Sequence, residues 1–182
     1  MRLYLIRHPR PLVEDGICYG STDLSVSAEA IGQALAALPD LPSGLRCFSS
    51  PLRRCHDFAL VLAQARGLTR PIADARLVEM HFGSWEMRSW SSVRHDEVDA
   101  WAADLVGYSP GGGESVLKAA LRVRDFLREL QSGGEDAVVV CHAGTIRLLR
   151  ACCNHNDLAA AALHAASREQ AVPYGGLTVL DM

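Results

Sequence analysis

Short apolar runs that stop abruptly at polar turns alternate along this chain with longer segments of helical period. Arg2 to Ile6 reads as a buried strand and runs straight into Arg7-His8-Pro9, where proline cannot continue a central ladder. The strand ends at His8. Ser27 is placed to cap a helix through Leu38, which stops at Pro39 and Pro42. Leu45 to Ser49 predicts a second strand. Pro51 suits the first turn of a helix over Leu52 to Ala65, which Gly67 terminates. A short extended piece follows at Pro71 to Ala73, then a loop carrying Glu79 and a helix from Ser91 to Leu105. Pro110 to Gly113 reads as a flexible hinge before an amphipathic helix, Glu114 to Leu130, with Val116, Ala120, Val123 and Leu127 on one stripe. Gly133-Gly134 ends that helix. Ala137 to Cys141 is a strand, His142 to Gly144 a turn, Thr145 to Cys152 a helix and Leu177 to Leu180 a last strand. Such alternation predicts an α/β fold with a mainly parallel sheet covered on both faces.

With 182 residues, nearly half of them apolar, the chain can bury a substantial core as a single domain over residues 1–182. Its formal charge of -3 and the absence of a run of Lys and Arg argue against nucleic acid or an anionic membrane as partner. Leu3 to Ile6 is too short for a signal-peptide core, and no apolar run approaches the roughly 20 residues that span a bilayer. A cytoplasmic protein is expected. The six cysteines form no CxxC pair or zinc-finger spacing, so reduced thiols are the natural reading. The seven histidines include no HExxH, and neither a metal nor another cofactor is expected.

Ligands of such sheets gather beyond the carboxyl ends of the strands, which directs attention to the residues just after each one. The first strand delivers Arg7 and His8, the second Ser49 to Arg54, and Ala137 to Cys141 delivers His142-Ala143-Gly144. Two histidines and several arginines at neighbouring strand ends would make a cationic pocket containing a nucleophile, suited to a dianionic phosphate. A neutral imidazole can attack phosphorus and divide one difficult displacement into two easier ones. Arginine's planar fork matches phosphate oxygens, the role expected of Arg7 and Arg54. His142, if protonated beside phosphate, would add a donor. Glu79 is the candidate to protonate the departing alkoxide and then activate water.

Four motifs in order, Leu5-Ile6-Arg7-His8, Ser50-Pro51-Leu52-Arg53-Arg54-Cys55, Leu77-Val78-Glu79 with Phe82-Gly83-Ser84-Trp85-Glu86, and Val140-Cys141-His142-Ala143-Gly144-Thr145-Ile146-Arg147, resemble the histidine phosphatase superfamily, which includes the cofactor-dependent phosphoglycerate mutases. The resemblance implies a three-layer α/β/α, phosphoglycerate mutase-like fold and a metal-independent mechanism. It also implies phosphorylation of His8, a phosphate pocket of Arg7, Arg54 and His142, and Glu79 as proton donor. Gly16 to Asp23 looks like the loop of the branch containing α-ribazole phosphatases of cobalamin assembly, so α-ribazole 5'-phosphate is one expected substrate. Arg10, Tyr19, Gly20, His81 and Ala143 are the expected substrate contacts, Arg10 being equally readable as surface charge.

Two positions depart from the family pattern. Pro9 stands where Gly usually follows the nucleophile, which removes a backbone N–H. Glu14 occupies the place of a phosphate-binding Asn, so either it points elsewhere or the pocket is rearranged. Thr22 and Asp23 read as caps of the following segment, Glu86 as a supporting or solvated charge, and Trp85, Trp90 and Trp101 as packing residues. The expected activity is hydrolysis of a small phosphorylated metabolite. The rivals are a mutase, a weakly catalytic phospho-ligand-binding module and a metal-dependent hydrolase using His8 and His142. Both a monomer and a homodimer joined at a sheet edge fit the sequence.

Overall fold

The computed structural model describes residues 1–167 and 171–182. Among these, five strands form one sheet, β1 (Arg2–Arg7), β2 (Arg46–Ser49), β3 (Ile72–Ala73), β4 (Ala137–Cys141) and β5 (Leu177–Asp181), in the spatial order β3-β2-β4-β1-β5. All neighbours are parallel except β5, which returns antiparallel to β1. The helices are α1 (Ala28–Ala37), α2 (Arg53–Arg66), α3 (His95–Ala103), α4 (Val116–Gly133), α5 (Ala143–Asn154) and α6 (Leu158–Ser167).

Alternate residues of a strand point to opposite faces, and here both faces are covered. Leu3, Leu5, Phe48 and Val139 pack with the buried stripes of α4, α5 and α6. Tyr4, Ile6, Cys47, Val138 and Val140 pack on the other side with residues of α1 and α2. The central strands therefore read as continuous apolar runs. Val116, Ala120, Val123 and Leu127 lie buried on α4 as their spacing predicts. Ser27 caps α1 by accepting from the Ala30 N–H, and Gly67 closes α2 in the left-handed region at φ 63°.

Several boundaries differ from expectation. Pro51 lies ahead of α2 rather than in its first turn, because Leu52 is still extended. The first helical N–H groups are met from a neighbouring loop, Arg53 by Asp23 Oδ1 at 2.7 Å and Arg54 by the Leu24 carbonyl at 3.1 Å. The helix expected from Ser91 begins only at His95; Trp90–Ser92 forms a separate 3-10 turn that Ser89 caps. No free turn separates β4 from α5, which begins at Ala143 with His142 as its N-cap residue. The sequence reading did not assign α6, whose Ala161, Ala162 and Ala165 pack into the core.

Pro110 to Gly113 is not a hinge. It packs backbone to backbone against the loop after Glu79: a Cβ on Gly83, at φ 56°, would lie 2.1 Å from the Gly111 carbonyl oxygen, and the Glu114 N–H donates to the His81 carbonyl at 2.7 Å. The region loosest in the sequence is thus a fixed wall beside the carboxyl ends of the strands.

Candidate active site

Strand register assembles the site. Arg7 pairs with Cys141 and Ser49 with Val140, so His8, Ser50 and His142 emerge side by side where β1, β2 and β4 end. The His8 N–H bonds the Cys141 carbonyl at 3.0 Å, the Ser50 N–H bonds the Val140 carbonyl at 3.0 Å, and the two imidazole centroids lie 5.1 Å apart.

Both histidines are almost completely buried. His8 Nδ1 is 2.7 Å from the Pro9 carbonyl oxygen; since a carbonyl can only accept, Nδ1 carries the proton and the lone pair lies on Nε2. Burial, then the Arg54 charge, pull the His8 pKa down to about 3, with Arg7 adding to the effect and the Pro9 bond opposing it. His8 is therefore a neutral imidazole at physiological pH. Burial foremost, with the charge of Arg54, also holds His142 well below its ordinary value. The His142 Nδ1 accepts from Arg54 Nε at 3.3 Å, and its Nε2 is 2.9 Å from Ser50 Oγ. Cys55 Sγ packs 3.4 Å from the same ring; burial foremost raises that thiol well above its usual pKa.

Arg54 is wholly buried at the start of α2. It donates to the Gly20 carbonyl at 2.5 Å and the Thr22 carbonyl at 2.6 Å. With the bond to His142 these use three of its five N–H groups, leaving two for an anion. Glu86 fixes the loop supplying those carbonyls: its carboxylate accepts from the N–H groups of Ser21, Thr22 and Phe82 and from the Ser21 and Thr22 hydroxyls. Burial acts to raise the Glu86 pKa, yet these bonds outweigh it and hold the pKa below the ordinary carboxylate value. Glu86 is accordingly a half-buried, fully hydrogen-bonded brace rather than a solvated charge, and Thr22 belongs to it.

Arg7 donates to the Val172 carbonyl at 2.6 Å and lies over the Tyr174 ring, 3.7 Å from its centroid. Tyr174 also faces His8 at 5.6 Å and shares a 2.5 Å hydrogen bond with the Tyr19 hydroxyl. Glu79 reaches the site from the loop after β3, where its carboxylate accepts from the Met80 N–H at 3.1 Å and the Gly144 N–H at 3.0 Å. A Cβ on Gly144 would lie 2.4 Å from Glu79 Oε1, so the absence of a side chain there admits the carboxylate. Arg122 on α4 holds the approach to Glu79 by donating to the Arg76 and Val78 carbonyls while pairing with Glu114.

Arg7, His8, Arg54, Glu79 and His142 line a cleft of about 430 Å³. Of the residues expected from sequence, Arg7, His8, Tyr19, Arg54, Glu79, His142 and Ala143 meet there. Three do not. Gly20 is buried and presents its carbonyl to Arg54. Arg10 is exposed, pairs with Asp15 at 2.5 Å and borders a separate groove; Glu14 lines that groove too, so it points away from the anion pocket. His81 is exposed beside Glu86, outside the cleft.

The sequence reading gave no site role to Tyr174, Ser50 or Arg147. Tyr174 reaches His8 because β5 returns beside β1, a strand order that no local pattern carries. The tryptophans pack together as expected, Trp85 fully buried with its ring centroid 5.8 Å from that of Trp101, and Trp90 and Trp101 also line the cleft. Among the described residues no group of three or more His, Cys, Asp or Glu could hold a metal, and no helix is long and apolar enough to cross a membrane.

The chain is similar to several known phosphatases. The adenosylcobalamin/alpha-ribazole phosphatase of Salmonella typhimurium is 30% identical over 157 residues, covering 82% of this chain and 77% of that protein. A glucosyl-3-phosphoglycerate phosphatase of Mycobacterium tuberculosis is 33% identical over 166 residues, covering 82% and 74%. The crystal structure of the alpha-ribazole phosphatase from Shigella flexneri superposes with a TM-score of 0.82 at 29% identity, covering 100% of this chain and 91% of that one. A model of the histidine phosphatase superfamily (branch 1) matches residues 3–179, and the chain belongs to that family.

Proposed function

We propose that this chain, a single domain over residues 1–182 working in the cytoplasm, hydrolyses small phosphate monoesters without a metal ion, through a phosphohistidine on His8. The observation that carries the reading is the neutral, buried imidazole of His8, with Nδ1–H tied to the Pro9 carbonyl, beside two arginines and a carboxylate. A fixed tautomer leaves the Nε2 lone pair as nucleophile.

The cycle has two displacements. His8 Nε2 attacks phosphorus and the ester P–O bond breaks, its electron pair leaving on the alkoxide, which takes a proton from Glu79. Glu79, now a carboxylate, removes a proton from water; the water oxygen attacks phosphorus, the P–N bond breaks, and its electron pair returns to His8. Arg7 and the two free N–H groups of Arg54 face the oxygens on which charge spreads in both transition states. Pro9 supplies no N–H to phosphate, so the side chains carry more of that work than in relatives with Gly at this position.

The relatives named for α-ribazole and for glucosyl-3-phosphoglycerate stand at 30% and 33% identity, too close to choose between their substrates. The loop from Gly16 to Asp23 favours α-ribazole 5'-phosphate. The test is release of inorganic phosphate, in chelator, from α-ribazole 5'-phosphate, phosphoglycerates and sugar phosphates by the parent and by His8→Ala. Release that vanishes with His8 and persists in chelator is expected. Folded parent protein that releases nothing would overturn hydrolysis, and activity lost in chelator would overturn the metal-free mechanism.

A further inference from the structure

Glu79 stands on a loop between the short turns Ala75–Leu77 and Gly83–Trp85, where no ladder of backbone bonds sets its height over the site. Its carboxylate is met by the N–H of its own neighbour Met80 and by that of Gly144. Those two bonds locate the carboxylate only if the backbone beneath it is itself held.

That hold comes from outside the cleft. Arg122, two turns into α4, uses four of its five N–H groups for it. Nη1 donates to the carbonyls of Arg76 at 2.7 Å and of Val78, the residue just before Glu79, at 2.6 Å. Nε and Nη2 each donate to one oxygen of Glu114 at 2.8 Å. Glu114 then reaches the other side of Glu79, because its backbone N–H donates to the His81 carbonyl at 2.7 Å. One ion pair thus grips the loop both before and after the carboxylate. Its side chains are only 22% and 19% exposed, so water screens the pair weakly, and two parallel bonds allow the partners a single relative orientation. Neither residue lines the cleft. An ion pair that served α4 alone would have no use for carbonyls on a different segment.

We propose that the Arg122–Glu114 pair positions the acid–base carboxylate: by clamping the loop on both sides of Glu79 it sets the reach of that carboxylate to the departing oxygen in the first displacement and to water in the second. The proposal rests on the reading of Glu79 as acid and base of a phosphohistidine cycle. Arg122 and Glu114 act through Glu79 and touch neither substrate nor phosphorus.

Rapid-quench kinetics with benzyl phosphate, whose alkoxide must be protonated, and with 4-nitrophenyl phosphate, whose leaving group needs no proton, test it. In Arg122→Met, phosphohistidine formation from benzyl phosphate is expected to slow by on the order of 10- to 10²-fold, and from 4-nitrophenyl phosphate by less than about threefold. Breakdown of the phosphohistidine needs the base whichever ester formed it, so 4-nitrophenyl phosphate should give a stoichiometric burst of nitrophenolate and then a slow steady state. Calorimetric affinity for inorganic phosphate should stay within about twofold of the parent, because Arg7 and Arg54 are untouched. Arg122→Lys, which keeps the charge but not the fork, and Glu114→Gln, which keeps the backbone bond to His81, should show the same selectivity more weakly and carry the test if Arg122→Met does not fold. Leu130→Ala, buried further along α4 and remote from the clamp, controls for lost stability and should not discriminate between the esters. Losses equal on both esters, no loss, or the same selectivity in Leu130→Ala would overturn the clamp and leave hydrolysis standing. A folded parent that forms no phosphohistidine from either ester would overturn the phosphatase reading and the clamp with it.

Discussion

Replacing Gly144 by Ala isolates the contribution of the Glu79 carboxylate. The new Cβ would stand 2.4 Å from Glu79 Oε1, about 1 Å inside ordinary van der Waals contact. Something must retreat, and the backbone is the poorer candidate. Gly144 lies in the first turn of α5, outside the left-handed region, where Ala is favoured over Gly by roughly 1 kcal/mol of helix propensity. The carboxylate, held only by the Met80 and Gly144 N–H groups, moves instead. A displacement of about 1 Å in an acid–base group costs on the order of 10²-fold in rate. The assay is single-turnover formation of phosphohistidine from an alkyl phosphate and from 4-nitrophenyl phosphate, whose leaving group needs no proton. Gly144→Ala should slow the first about 10²-fold and the second far less, with thermal stability preserved. Equal losses on both esters, or no loss on the alkyl ester, would refute the assignment of Glu79 as the acid.

Three further outcomes follow from the same geometry. His8 has a folded-state pKa of about 3 against an ordinary 6.5, so between those values the unfolded chain binds the extra proton; stability is complete above about pH 6.5 and falls toward pH 3, a slope in urea midpoints that His8→Leu should flatten. Glu86→Gln sets amide hydrogens either against the Ser21 and Phe82 N–H groups or against the Thr22 N–H group and should cost roughly 2–3 kcal/mol in thermal unfolding, with a raised KM because the Thr22 carbonyl orients Arg54. Tyr174→Phe removes only the bond to Tyr19 and should change kcat/KM less than about threefold, whereas Tyr174→Ala strips the ring from Arg7 and should raise KM about tenfold; equal effects would argue against the ring contact.

What was legible in the sequence and what was not divide along the range of the interactions. β4 is found residue for residue, because a strand buried on both faces must be apolar throughout and Gly134 and His142 bracket it with different chemistry. The same logic yields His8 and His142: each follows a buried strand, and parallel neighbours present such residues at one edge. The start of α2 is misjudged because its cap is Asp23, thirty residues away in sequence and supplied through tertiary contact. The alanine-rich α6 lacks the large apolar residues that make a helical period visible, although small residues are what lets it pack closely against α4 and α5. Glu86 and Tyr174 show the limit most clearly. A glutamate after Trp85 carries no mark of the loop it will brace, nor a tyrosine after Pro173 of the arginine it will cover, until strand order brings those loops together. Residues that touch a reacting phosphorus are confined to a few chemical types and so announce themselves. Those that line the rest of the cleft, Trp90, Trp101 and Arg147 among them, share their chemistry with ordinary packing and surface residues, so their place beside the site becomes visible only when the fold assembles it.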